Sequence, residues 1–268
     1  METWWVIGNG MDAGKTTIAS TLIQLLDARK SAIGFKPRAH YRIHKYFEDF
    51  FAYSSNERLM NCGDGYHLST NSSLSSVDDI ELLVPFQMIS SMNFKVPYLV
   101  RSGSDQIARR TILTSPFLHD FLKTPLDANT ADPMAFLQHA DTRDQEIGFK
   151  FPRSYRQSQD CIEQSFAKLQ ERQPAHIVIE GAGQFLPLWR KNTLVNHLVI
   201  VGGFEVQLYH NIGLELHWKQ PELPQYGHLL PHLTKQQLTK SASIPITTPD
   251  RYTAVAKSVL EGLLSDVT

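Results

Sequence analysis

An α/β fold with a mostly parallel sheet flanked by helices is what this sequence predicts, and three observations predict it. The chain opens on an apolar run, Trp4-Trp5-Val6-Ile7, followed by a glycine-rich turn and a helical pattern. A second apolar run, Ala32-Ile33-Gly34-Phe35, comes after that helix, and strand, helix, strand is the unit from which parallel sheets are built. Two later runs, His176-Ile177-Val178-Ile179 and Leu198-Val199-Ile200-Val201, are short, β-branched and followed by glycine-rich turns. Strands buried on both faces look like this, continuous in apolar residues rather than alternating.

The helix after the first turn carries Ile18, Leu22, Leu25 and Leu26 on one face. The stretch 155–173 is helical by the same test, with Cys161, Ile162, Phe166 and Leu169 at core spacing. A last helix over 252–264 repeats Val255, Val259 and Leu263, and the segment 221–249 before it is loop-rich. Tyr41, Tyr46, Phe47, Phe50, Phe51 and Tyr53 are expected to pack a helix onto the core. The stretch 80–153 contains Pro85, Pro97, Pro116, Pro125 and Pro133 with mixed periodicity. It is expected to be an insertion of short helices and long loops, serving as a lid, within a single domain spanning 1–268.

Composition narrows the function classes. The 268 residues include 26 Lys+Arg against 27 Asp+Glu, for a net charge of −1. No basic excess points to nucleic acid and no acidic tail to a basic partner, so a small molecule or another protein is the expected partner. No apolar run of about eighteen residues is present, so no membrane span is expected. The first strand has no basic n-region or cleavage site before it, so no cleavable leader is expected. Two cysteines, Cys62 and Cys161, are too few for a disulfide framework and suit a reducing cytoplasm.

The most specific chemistry lies in Gly8-Asn9-Gly10-Met11-Asp12-Ala13-Gly14-Lys15-Thr16-Thr17. In a loop of this kind successive backbone N–H groups converge on phosphate oxygens, and the following helix adds its N-terminal partial charge. Gly10, Asp12, Ala13, Gly14, Lys15, Thr16 and Thr17 are therefore the expected nucleotide-binding residues. Lys15 can reach the β and γ phosphates, and the Thr16 hydroxyl can ligate Mg2+. A strand before and a helix after are the context the motif requires. Together they predict a P-loop NTPase fold carrying an insertion in the middle of the chain, with ATP and Mg2+ as cofactors.

Measured from Gly8, five residues precede Gly14, and Asp12 sits among them. In this the loop resembles that of dethiobiotin synthetase. Gly34-Phe35-Lys36-Pro37 is similar to that family's Gly-Tyr-Lys-Pro, and Gly63-Asp64-Gly65 falls where the family has its magnesium-linked aspartate. Glu180-Gly181-Ala182-Gly183 with Pro187-Leu188 is similar to its Glu-Gly-Ala-Gly-Gly and trailing Pro-Leu. Thr114-Ser115-Pro116 resembles in part a Ser-Pro-His element that opens a helix beside the family's substrate. The resemblance covers the core elements, about half the chain. It implies Lys15, Lys36 and Glu180 as catalytic residues, and Thr16, Asp64 and Glu180 as magnesium ligands. It also implies a homodimer with sites near the subunit interface. The implied reaction is that of an ATP-dependent ligase of biotin biosynthesis: phosphorylation of a carbamate formed on a diamine, then closure to a cyclic urea.

Several positions depart from the family. Met11 stands where relatives have Thr, and Arg38-Ala39-His40 where they have a small hydroxyl residue. Phe204-Glu205-Val206 stands where they begin a helix shaping the partner's pocket, and the Asn-bearing strand end that reads adenine is missing. These leave the acceptor, an amine or carboxylate, open to divergence. Two alternatives remain: a nucleotide-switch ATPase like MinD or ParA that binds a protein partner, and a nucleotide-binding paralogue without synthetase activity. His40 and His44 are four apart and could share a helix face, and Arg109-Arg110 could clamp an anion, although a surface pair is the plainer reading.

Overall fold

The computed structural model describes residues 1–8, 14–42, 63–90, 97–103, 105–109, 141–143, 158–183, 186–187, 189, 192–202, 204–217, 229–233, 238–245 and 249–265. Its centre is a six-stranded, mostly parallel sheet flanked by helices. The strands are β1 (Glu2–Gly8), β2 (Ala32–Phe35), β8 (His176–Glu180), β10 (His197–Gly202), β11 (Glu205–Tyr209) and β13 (Lys240–Ser243). Their order is β13-β11-β10-β1-β8-β2. β1 pairs in parallel with β8 on one side and β10 on the other, and β8 pairs in parallel with β2. β11 runs antiparallel to both its neighbours.

Both faces of the central strands are covered, which is why their sequences are apolar throughout. Trp4, Trp5, Val6 and Ile7 are all buried. In β2 the alternation of side chains can be followed residue by residue. Gly34 faces α1 (Lys15–Asp27) and α2 (Gly63–Thr70): a Cβ there would sit 2.7 Å from Ile23 and 3.0 Å from Leu68. Phe35 faces the other way, 5.4 Å between ring centroids from Phe166 of α4 (Gln159–Glu171) and 5.4 Å from Trp189. Glycine at 34 thus lets two helices close onto the strand, and the aromatic cluster locks the next residue from behind. α1 also packs against the last helix, α6 (Pro249–Leu264).

Among the described residues of 80–153, a second sheet stands where short helices and long loops were expected. After the single turn α3 (Ile80–Leu83), the described part is mainly strand: β4 (Phe86–Ser90), β5 (Pro97–Ser102), β6 (Asp105–Arg109) and β7 (Asp141–Arg143). They continue from β3 (Arg38–Arg42) in the order β3-β4-β5-β6-β7. Prolines concealed them, since Pro97 opens a strand, and so did buried polar residues such as Gln87 and Arg101, which break the apolar pattern. Arg101 is satisfied inside by the carbonyls of Val84, 2.7 Å, and Gly103, 3.0 Å.

Tyr41 and His40 lie in β3, so neither sits on the helix expected there, and the spacing of His40 and His44 is not helical at its start. The rest of that aromatic segment and His44 lie outside the described residues. A further pair, β9 (Asn192–Val195) with β12 (Leu214–His217), and the turn α5 (Leu230–Leu233) complete the described elements. No helix among the described residues is long and apolar enough to cross a membrane.

Candidate functional site

In a parallel sheet, groups at the carboxyl ends of neighbouring strands converge. Three adjacent strands do this here. Thr16 is the second residue of α1, just beyond the loop that leaves β1, Glu180 is the last residue of β8, and Lys36 immediately follows β2. The Lys36 backbone is held by its N–H donating to Leu83 O, 2.8 Å. Asp64 comes from the first turn of α2, whose approach Gly34 permits.

These four side chains touch. Lys36 Nζ donates to Asp64 Oδ2 and Glu180 Oε1, both at 2.6 Å. Thr16 Oγ1 lies 2.8 Å from Asp64 Oδ1 and 2.8 Å from Glu180 Oε1. The Tyr41 hydroxyl donates to Asp64 Oδ2 in a short hydrogen bond. Two of them are enclosed, the Glu180 side chain at 1% exposed and that of Lys36 at 7%, while Thr16 and Asp64 are half-buried.

The proton inventory does not close. Thr16 has one hydroxyl proton for two carboxylate oxygens, and Glu180 Oε2 is buried with no hydrogen-bond partner among the described residues. Two carboxylates against one ammonium leave surplus negative charge. Burial alone would pull the Lys36 pKa down, but Asp64 and Glu180 more than reverse this and hold it above the ordinary value. Burial pushes Asp64 up, yet Lys36, Tyr41 and Thr16 pull it below the usual carboxylate range. Glu180 is raised, by burial first and then by the neighbouring Asp64 charge, with Lys36 opposing. An unpaired buried oxygen, surplus negative charge and a hard all-oxygen donor set suit Mg2+. The residues fit that ion: Thr16 Oγ1, Asp64 and Glu180 are the atoms that would hold it. No group of three or more His, Cys, Asp or Glu able to hold a metal occurs among the described residues, and this set is two carboxylates and a hydroxyl.

Of the expected phosphate loop, Gly14, Lys15, Thr16 and Thr17 are described, and Gly10, Asp12 and Ala13 lie outside the described residues. Gly14 has φ +76, a left-handed conformation that favours glycine, and its carbonyl accepts the Ile18 N–H at 3.0 Å. Lys15 is buried, and Thr17 half-buried, in the first turn of α1. A Cβ on Gly14 would meet the Tyr252 hydroxyl of α6 at 2.3 Å, so α6 stands against this turn.

Tyr41 is the site residue that sequence reasoning missed. In β3, Ala39 and Tyr41 share one face and Arg38, His40 and Arg42 the other. A strand assignment for 38–42 would have separated Tyr41 from the aromatics beyond it. His40 contacts Ser90 Oγ, 2.8 Å, and burial, with Arg42 adding, lowers its pKa to about 4. Arg109 falls in β6, while Arg110, Cys62 and Thr114-Ser115-Pro116 lie outside the described residues. No protein-family model and no curated protein sequence matches the chain.

Proposed function

We propose that the protein is an ATP- and Mg2+-dependent ligase on a P-loop NTPase fold, similar in chemistry to dethiobiotin synthetase. The observation that carries this reading is the convergence of Thr16, Lys36, Asp64 and Glu180 from four separate elements into one buried, hydrogen-bonded, electron-rich cluster. A cluster built only for stability would not leave Glu180 Oε2 unpaired.

Magnesium held there would offset charge on the phosphate oxygens and orient them. The chain's residues do the rest. Backbone N–H groups at the start of α1 and the Lys15 ammonium bind the triphosphate. Lys36, fixed between two strands, provides a second cation that stabilises charge as the γ-phosphoryl moves. An oxygen of a carbamate or carboxylate acceptor attacks the γ-phosphorus, and the bond to the ADP oxygen breaks. The resulting mixed anhydride is attacked at carbon by an amine, which closes the ring and releases phosphate. The exclusion of water around Lys36 and Glu180 protects that anhydride from hydrolysis.

β11 pairs antiparallel with β10 where the family has a helix that shapes the partner's pocket. The acceptor is therefore expected to differ from the family's in shape. In this reading the protein is cytoplasmic and dimeric.

Phosphate release from MgATP, with and without 7,8-diaminononanoate and bicarbonate, tests the reading against a Lys15→Ala control. Diamine-dependent release that disappears in the control supports it. MgATP binding without turnover on any diamine or carboxylate sinks the ligase and leaves a nucleotide switch. In that case ATP would change the oligomeric state.

A further inference from the structure

The cluster of Thr16, Lys36, Asp64 and Glu180 lies toward β8 and β2 from β1, and this dictates where the rest of a nucleotide must lie. Thr16, Glu180 and Lys36 come from β1, β8 and β2 in that order across the sheet, so the γ-phosphate end faces β8 and β2. A phosphate chain threaded through the loop leaves toward the opposite neighbour of β1, which is β10.

There the molecule presents an unusual residue. Gly8, where the loop begins, is in register with Val201 of β10. One step further, Gly202 pairs with Glu205 to close the β10–β11 hairpin. Phe204 lies at its tip, 66% exposed, with φ +66. A tip built for shape alone takes Gly, Asn or Asp in that conformation. A large aromatic held there, strained and facing solvent at the carboxyl end of β10, has the marks of a functional residue.

The tip is anchored: Phe204 O accepts the Ile244 N–H at 2.7 Å, at the end of β13. Five residues later α6 begins, and its Tyr252 ring stands half-buried against Gly14 of the loop. Tyr252 thus stands against Gly14 and Phe204 caps the β10–β11 hairpin, on the side of β1 opposite β8 and Glu180. Aromatic side chains bind planar bases through their faces.

Building on the nucleotide reading above, we propose that Phe204 and Tyr252 form the nucleoside subsite, and that the base stacks on these rings.

Isothermal titration of the full chain with MgATP and with magnesium tripolyphosphate, which has phosphates but no base, tests this. Phe204→Gly removes the ring and relaxes the backbone, so loss of folding does not confound it. Tyr252→Leu removes the second ring. Each variant is expected to weaken MgATP about tenfold and to leave tripolyphosphate within about twofold. MgATP affinity unchanged in Phe204→Gly overturns the proposal, and so does parallel weakening of both ligands. If the wild-type chain binds neither ligand, and Lys15→Ala behaves the same, the nucleotide reading itself fails together with its subsite. Tripolyphosphate binding that survives in all but Lys15→Ala separates the two failures.

Discussion

The two ends of the central sheet both bury titratable groups, and they do so in opposite ways. At the carboxyl end, Lys36, Asp64 and Glu180 form a charged, interlocked cluster. At the amino end, Glu2 begins β1, His176 begins β8, His197 begins β10, and His210 follows β11. There the rings stack: His197 lies 4.1 Å between centroids from Trp4 and 4.4 Å from His210. Burial lowers the pKa of all three histidines, that of His197 to about 4 with His210 adding. Glu2, half-exposed, is the carboxylate beside two of them, 3.3 Å from His176 Nδ1 and 3.4 Å from His197 Nε2. A single carboxylate cannot hold three imidazoliums in an apolar setting, so the three rings stay neutral. Charge is retained in the interior at the end where oppositely charged partners interlock and oxygen acceptors remain in excess.

Three experiments would break or sharpen that contrast. Lys36→Met leaves two buried carboxylates without their cation. Losing one partner of a buried ion pair costs about 3–5 kcal/mol, so the urea midpoint should fall steeply. A change below about 1 kcal/mol would show that the carboxylates are not interdependent.

The amino end should respond to pH instead. A histidine with a folded pKa near 4 and an unfolded value near 6.5 is protonated first in the unfolded chain. Stability is then full above about pH 7 and is lost as pH falls from 6.5 toward 4. At ~1.4 kcal/mol per pKa unit this amounts to about 3 kcal/mol. His40 titrates in the same window, so the test is the difference between wild type and His197→Phe in urea midpoints at pH 7 and pH 5. Parallel pH profiles would remove His197 from the account.

The smallest effect is expected for Tyr41→Phe. It deletes one hydrogen bond to Asp64, worth about 1 kcal/mol or somewhat more with a charged acceptor. Stability should drop by that amount, and the Mg2+ concentration for half-maximal phosphate release should shift. An unchanged Mg2+ dependence would confine Tyr41 to packing.

Much of the carboxyl-end site was legible in the sequence because its residues carry local signals. Glu180 ends an apolar run, Lys36 follows another, and Thr16 belongs to a glycine-rich loop. Asp64 was placed by resemblance alone. Tyr41 was not legible: its partner is 23 residues away, and its neighbours Arg38, His40 and Arg42 hide a strand whose polar side chains lie within the protein. The amino-end cluster was invisible for a related reason. Glu2, His176, His197 and His210 lie up to 208 positions apart, and only strand order and register bring them together. Periodicity reports which face of an element is buried; it says nothing of which elements become neighbours.

The placement of β1 between β8 and β10 has a consequence for biosynthesis. This strand is synthesised first, yet both of its sheet neighbours lie beyond residue 175. At roughly 5–20 residues per second on the ribosome, Trp4-Trp5-Val6-Ile7 waits about 10–35 s before a partner strand exists. Over that interval the nascent chain carries an unpaired, strongly apolar β-segment. The protein should therefore depend on a chaperone that shields apolar segments of growing chains, and truncation before residue 202 should yield insoluble product.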